Sequence, residues 1–193
     1  MRIITTLLFF LFIALSPILH AQNKLQFKGI PIEGSVKTFI SKLQAQGAKL
    51  EKTEDDLYFF SDSFAGVSNC TIVVSHYKDS IVGLNVYLPK KTSWVDLKID
   101  FVKFEESYTK KYGKPSDSFN FFNYPYYEGN GYEMSAVSMG ECHYETFWDV
   151  ENGWIYLEIS KSKCIAIHYD YKNGVRFRKQ QQENQVNADI NLI

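Results

Sequence analysis

ECHYETFWDVENGWIYLEIS, residues 141–160, is the stretch that most constrains the fold. Two runs rich in aromatic and β-branched residues flank Asn152-Gly153, the pair that a two-residue type I′ hairpin prefers because both central positions need positive φ. This turn would place Val150 opposite Ile155 in an antiparallel pair. The stretch therefore predicts a β-hairpin and, with it, an antiparallel sheet.

Side chains alternate between the two faces of a strand, so the hairpin also predicts a core face and an outer face. The expected core face contains Cys142, Tyr144, Thr146, Trp148, Val150, Ile155, Leu157 and Ile159. The expected outer face contains His143, Glu145, Phe147, Asp149, Tyr156 and Glu158.

The rest of the chain reads helix, strands, helix, strands. Residues 35–47 and 92–115 have the i, i+3, i+4, i+7 apolar spacing of helices, and runs of alternating residues follow each of them. Adjacent strands joined by tight turns predict an α+β fold of antiparallel sheets with two main helices, in a loose tandem repeat of a helix and a strand meander. One domain is predicted over residues 22–175, with units at about 24–91 and 92–175, followed by a polar tail over 176–193.

The second helix carries a broad apolar face. Trp94, Leu97, Phe101, Phe104 and Tyr108 form one stripe, and Val95, Ile99 and Val102 widen it. Such a stripe is typical of a helix packed on a core. The residues predicted to be buried together are Phe39, Leu43, Trp94, Phe101, Trp148 and Leu157.

The N-terminal residues have the order of a secretory signal peptide. Arg2 precedes an apolar run, Pro17 interrupts it, and the small Ala21 stands before Gln22. Residues 1–21 are therefore predicted to be removed, and the protein to be exported, either periplasmic or secreted. An uncleaved anchor is the alternative, because the run approaches the roughly 18 apolar residues that span a bilayer; no later run supports membrane insertion of the mature chain.

The net charge and the number of cysteines limit the partners and disulfides that this chain can have. Removal of residues 1–21 takes one of 21 basic residues and none of 22 acidic ones, so the net charge goes from −1 to −2. That balance argues against a nucleic-acid partner. Three cysteines allow one disulfide at most. Cys142 and Cys164 should lie too far apart to pair, whereas Cys70 with Cys142 and three buried free thiols both remain open, the latter favoured.

Residues that could carry catalysis or bind a metal are few. No motif of a nucleophile elbow, zinc helix or phosphate loop is present, and no cofactor is predicted. His143, Glu145 and His168 are weak candidate metal ligands, provided that a three-residue turn after Ser160 directs His168 outward. A two-residue turn would direct it inward, and the sequence allows both.

The strongest candidate binding segment is FNFFNYPYYEGNGYEM, residues 119–134. Phe119 and Phe121 are expected in a strand, turned to one buried side. The binding candidates Tyr124, Tyr126, Tyr127 and Tyr132 lie in or beside the following connection, which is expected to be exposed. Tyrosine in a glycine- and asparagine-containing loop suits protein recognition, although the rings could instead cover an open end of the core.

Several motifs together resemble a family of small, uncharacterised exported proteins of Bacteroidota. These are FKGIPIEGS, SWVDLK leading into KYGKPS, and EMSAVSMGECHYETF. The resemblance implies an exported bacterial protein with a two-unit α+β fold, and it brings no catalytic residues.

These observations favour an exported, non-catalytic module that binds a protein or glycan partner through the tyrosine segment or an open sheet face. The alternatives are a carrier of an apolar small molecule and, further off, a small hydrolase or metal enzyme that uses outer-face histidine and glutamate residues.

Overall fold

The computed structural model describes residues 24–190, so the predicted signal peptide and the last three residues of the predicted tail lie outside it. The helices are α1 (Val36–Ala45), α2 (Trp94–Tyr112), α3 (Glu133–Met139) and α4 (Lys172–Ile190). The strands are β1 (Gln26–Phe27), β2 (Ile30–Pro31), β3 (Lys49–Glu54), β4 (Leu57–Phe64), β5 (Val67–Tyr77), β6 (Ser80–Tyr87), β7 (Asp117–Phe122), β8 (Cys142–Val150), β9 (Gly153–Ser160) and β10 (Cys164–Tyr171).

Eight strands form one antiparallel sheet in the order β3-β4-β5-β6-β10-β9-β8-β7, and β1 pairs with β2 in a small separate hairpin. A helix precedes each four-strand meander, α1 before β3–β6 and α2 before β7–β10. The last strands of the two meanders, β6 and β10, pair at the centre of the sheet. The predicted α+β class with antiparallel sheets is confirmed.

Both main helices begin and end where the sequence predicts. Ser35 caps α1, and Ser93 caps α2 with its Oγ accepting from the Asp96 N–H at 3.1 Å. The Ser93 hydroxyl also donates to the Asp96 carboxylate at 2.9 Å. Gly113, with φ of 90°, ends α2 because a residue with a side chain rarely adopts that conformation.

One buried cluster joins α1, α2 and the β1–β2 hairpin to a single face of the large sheet, which we call the helix face. All six residues predicted for the core are buried. Phe101 of α2 meets the ring of Tyr144 edge-on at 5.6 Å, and Tyr108 packs 5.5 Å from Trp148. The opposite side of the sheet is the outer face.

The β8–β9 turn differs from the prediction. The pairs are Val150 with Gly153 and Trp148 with Ile155, so the turn is Glu151-Asn152 and neither Asn152 nor Gly153 has positive φ. Gly153 is instead required by close packing, because a Cβ there would lie 2.1 Å from the Asp170 carbonyl oxygen of β10. The register moves by two residues, so both predicted faces are retained.

The outer part of the apolar face on α2 is also different from the prediction. Val95, Ile99 and Val102 are exposed rather than buried. Helix α2 packs on one side of the sheet only. The stripe that includes Trp94, Phe101 and Tyr108 therefore supplies its whole buried face. Within residues 24–190 these three side chains are left uncovered, and apolar spacing alone does not show how many sides of a helix are covered.

Three elements differ from the sequence expectation, which left a fourth strand in the first meander and a short helix in the polar tail open and did not include α3. Strand β3 is exposed along its whole length and four of its six residues are charged, and α3 follows the tyrosine segment. Helix α4 starts at Lys172 and crosses the predicted tail boundary at 175. Its first turns pack on the sheet, with Phe177 edge-on to Tyr77 at 5.7 Å.

Candidate functional site

Residues 123–132, which connect β7 to α3, form an exposed segment that we call the tyrosine loop. Tyr124 is 96% exposed, and Tyr127 and Tyr132 are each 64% exposed. Tyr126 is half-buried and donates its hydroxyl hydrogen to the Met139 sulfur at 3.1 Å. The exposure expected of these rings is observed, and they are not a cover for the core.

Glu128 fastens the tyrosine loop to the body of the protein. Its carboxylate accepts from the Trp94 indole N–H at 3.3 Å and from the Tyr144 hydroxyl at 3.1 Å, and it forms an ion pair with Lys98. The hydrogen bond from Lys98 is the main cause that lowers the pKa of Glu128 below its ordinary value. Burial keeps the Tyr144 hydroxyl protonated by raising its pKa, so it remains a donor. No local sequence pattern indicates these contacts, because Trp94 and Tyr144 lie 34 and 16 positions from Glu128.

Further hydrogen bonds fix both ends of the tyrosine loop. The Asn123 side-chain amide donates to Glu141 Oε2 at 2.9 Å, and the Asn123 carbonyl accepts from the Tyr126 N–H at 2.9 Å. At the other end the Gly129 N–H donates to the buried Glu133 carboxylate at 2.6 Å. The loop therefore presents its exposed rings from a backbone held at several points.

Phe119 and Phe121 do not turn to a buried side as predicted. They lie on the outer face of β7 and are 40% and 47% exposed. Strand alternation is correct, but the alternate residues that face the helices are Ser118 and Asn120. Because β7 is an edge strand, its helix face needs few apolar side chains.

Aromatic rings continue from these two phenylalanines across the outer face. Phe121 stacks on His143 at 4.8 Å, Phe147 on Tyr156 at 4.6 Å, and Tyr156 on His168 at 5.1 Å. The outer face of β7–β10 is therefore rich in half-exposed rings.

The candidate metal ligands do not converge. The turn after Ser160 has three residues, so His168 points outward, where it contacts Glu158 at 3.2 Å. His143 contacts Glu145 at 3.3 Å. The two histidines lie on β8 and β10 with β9 between them, His143 level with Ser160 and His168 opposite Tyr156. Two strand spacings and a four-residue offset put them roughly 16 Å apart. No group of three histidine, cysteine, aspartate or glutamate side chains suited to a metal occurs within residues 24–190.

A groove of about 450 Å³ opens on the outer face beside the first residues of β7. Phe119, Trp154 and Tyr156 supply its rings, and Asp117 and Asp149 are among its carboxylates. Trp154 is an exposed residue, so the groove combines flat apolar surfaces with hydrogen-bond acceptors.

The three cysteines are free and buried. Cys142 lies on the helix face and Cys164 on the outer face, so these two do not pair, as predicted. Burial raises the pKa of Cys142 to about 12 and raises those of Cys70 and Cys164. The thiols are therefore small packing groups and poor nucleophiles.

No protein-family model, curated protein or solved structure matches this chain. The function is therefore inferred from the surface residues themselves. Among the helices within residues 24–190, none is long and apolar enough to cross a membrane.

Proposed function

We propose that this chain is an exported, non-catalytic binding module whose tyrosine loop contacts a protein partner. The observation that carries the proposal is the exposure of Tyr124, Tyr127 and Tyr132 on a loop that Glu128 ties to the domain. A tyrosine offers a large, rigid contact area and few rotatable bonds to immobilise.

The anchoring of the tyrosine loop supports this proposal because binding costs least when the contact surface is already ordered. The Glu128 and Glu133 contacts hold the loop backbone without using the exposed rings. The rings are thus available to a partner, and their positions do not have to be fixed when the partner arrives.

A non-catalytic role fits the outer-face histidines. Each is paired with its own glutamate on a solvated sheet face, and β9 separates them. Such pairs occur on sheet surfaces without any catalytic role, and their separation does not place an acid and a base around one reacting atom.

Export forms part of the proposal. It is supported by the order of residues 1–21 and by the resemblance of several motifs to exported proteins of Bacteroidota. The expected mature protein begins near Gln22, either in the periplasm or outside the cell. Intact-mass measurement of the protein from its host's envelope and medium tests this, and a mass that retains residues 1–21 would contradict it.

Replacement of Tyr124, Tyr126 and Tyr127 together by serine tests the binding role. The purified mature chain captures partners from a host envelope extract, and the affinity of each recovered protein is then measured with purified components. The triple variant should weaken the specific complex at least tenfold, about 1.4 kcal/mol or more. Val95→Ser and Ile99→Ser, changes at exposed apolar positions on α2, serve as matched controls. Equal binding by the triple variant and the controls would overturn the proposal.

A glycan bound in the outer-face groove is a second candidate. The groove favours it because Trp154 and Tyr156 provide flat apolar surfaces beside Asp117 and Asp149, which can accept hydrogen bonds from hydroxyl groups. Titration with envelope oligosaccharides should show binding that Trp154→Ala removes and the triple tyrosine variant leaves unchanged. Binding lost in neither variant would exclude this groove.

A further inference from the structure

The two edge strands of the large sheet are protected to different degrees. Edge strand β3 carries two lysines and two glutamates among its six residues, and its pairing with β4 is interrupted between Leu50 and Lys52. Charges and irregularities of this kind prevent an edge from pairing with another strand. Edge strand β7, DSFNFF, has no charge from residue 118 to residue 122 and no proline, and its first five residues are exposed.

Strand β7 has backbone groups that do not bond within the sheet. The side on which each residue bonds follows from Asn123, just after β7, whose N–H donates to the Glu141 carbonyl just before β8 at 2.9 Å. Hydrogen-bonded residues alternate along an antiparallel pair, so the N–H and C=O groups of Ser118 and Asn120 point away from β8. The Ser118 N–H donates to the Asp117 carboxylate at 2.9 Å. Among residues 24–190, the Ser118 carbonyl, both backbone groups of Asn120 and the phenylalanine side chains beside them are open to a further strand.

We propose that a second copy of this chain pairs with β7 antiparallel, which joins two eight-stranded sheets edge to edge about a two-fold axis at Asn120. The proposal goes beyond the binding role of the tyrosine loop, since it uses the strand edge and needs no other protein.

The sequence of β7 is complementary to itself in this register. Asn120 lies opposite Asn120 of the second copy, and Ser118 lies opposite Phe122. On the outer face Phe119 meets Phe121 of the second copy twice, and aromatic cross-strand pairs are favourable. Asp117 falls opposite Asn123, so no like charges meet.

The alternative register, shifted by one residue in each copy, is less favourable than the one centred on Asn120. A shift that centres the axis on Phe119 also directs the free backbone groups at one another. It places Asp117 opposite Phe121, where the carboxylate would lose water without gaining a partner. The Asn120-centred register keeps that carboxylate beside a polar side chain, so it is the one we expect.

A second copy fits the edge better than an unrelated strand does. Both sides then supply an uncharged centre and two phenylalanines that are 40% and 47% exposed, and each covers the other. The resulting interface is isologous, the commonest kind in homodimers. It is also small, so the dimer should form in the micromolar range and depend on concentration.

Sedimentation equilibrium of the mature chain from about 1 to about 500 μM gives the first test, and the mass should rise from one chain toward two. Asn120→Pro removes the outward N–H and leaves the β8 side of the strand intact. It should weaken the dimer at least tenfold, whereas Val95→Lys, at an exposed apolar site on α2, should leave it unchanged. A single-chain mass at every concentration would overturn the proposal.

A cysteine pair tests the register and does not depend on the proline variant. Opposed hydrogen-bonded residues have Cα atoms about 5.5 Å apart, within disulfide reach. Asn120→Cys should therefore give a covalent dimer on oxidation. Ser118→Cys should not, because two copies of residue 118 would lie roughly 13 Å apart. Equal cross-linking of both variants, or of neither, would overturn the proposal even if the proline variant failed to fold. Neither result bears on binding by the tyrosine loop, which is measured with another protein.

Discussion

Replacement of Glu128 by alanine should loosen the tyrosine loop and leave the rest of the domain folded. The change removes the acceptor of two hydrogen bonds, from Trp94 and Tyr144, together with the ion pair to Lys98. The ring systems of Trp94 and Tyr144 stay in the core, so their donor atoms lose their protein partner.

The expected cost is about 1–2 kcal/mol of the free energy of unfolding. Leaving a buried donor without a partner costs about 1–3 kcal/mol. The lower part of that range applies here because Glu128 itself is exposed, and water can reach its place when the side chain is shortened. The ion pair adds little, since both partners are exposed and surface pairs contribute at most about 1 kcal/mol.

Urea unfolding measures the stability, and amide hydrogen exchange of residues 123–132 measures the loosening. Exchange should speed up in the tyrosine loop and stay unchanged in β9 and β10. Glu106→Ala, at another exposed acidic residue beside the same face of α2, should change stability by less than about 0.5 kcal/mol. Equal exchange in the Glu128→Ala variant and the unaltered protein would refute the role given to Glu128.

The remaining predictions concern the core, the loop surface, the thiols and acid. Phe101→Ala should lower the free energy of unfolding by about 3–5 kcal/mol because it empties a buried site. Ile99→Ala, on the exposed side of the same helix, should lower it by less than about 0.5 kcal/mol. Similar losses for the two variants in urea unfolding would mean that the buried side of α2 is assigned wrongly. The triple tyrosine-to-serine variant should unfold within about 1 kcal/mol of the unaltered protein, and a collapse of its fold would show that the rings are structural. The three native cysteines should resist iodoacetamide at pH 8 until the protein is unfolded, since burial raises their pKa values; rapid labelling in the native state would contradict their burial. Folding lowers the pKa of Glu128, so the carboxylate stabilises the folded protein fully above its unfolded pKa, near 4.5, and this stabilisation is lost as the pH falls through the lower folded value. Amide exchange in the tyrosine loop of the unaltered protein should therefore speed up as the pH falls through that range. The exchange should change less in Glu128→Gln.

Local patterns in the sequence were sufficient to predict the helices, most strands and the faces of the second meander. The spacing from Trp94 to Tyr108 and the caps at Ser35 and Ser93 depend on neighbouring residues, so they can be read directly. The two faces of the β8–β9 hairpin were predicted correctly although the turn was not, because a register shift of two residues preserves the alternation of side chains.

The predictions that failed concern contacts between parts of the chain that are distant in sequence. Ile99 and Phe121 have the spacing of buried residues, but nothing in the described part of the chain covers them, and periodicity does not report the number of layers. Gly153 was taken for a turn residue, whereas its neighbour across the sheet is the backbone of Asp170. The Glu128 contacts likewise join residues distant in sequence. The tyrosine loop was predicted from its composition, and the support that holds it was not.

Site-specific photo-cross-linking in the native host tests whether the tyrosine loop is the partner-binding surface. A benzophenone amino acid replaces Tyr124 or Tyr127 in separate variants, and Val95, which is about as exposed as Tyr127, in a control. Adducts to the same protein are expected from positions 124 and 127, and none from position 95. Irradiation that yields no adduct from either loop position, or the same adducts from all three positions, would contradict binding by the loop.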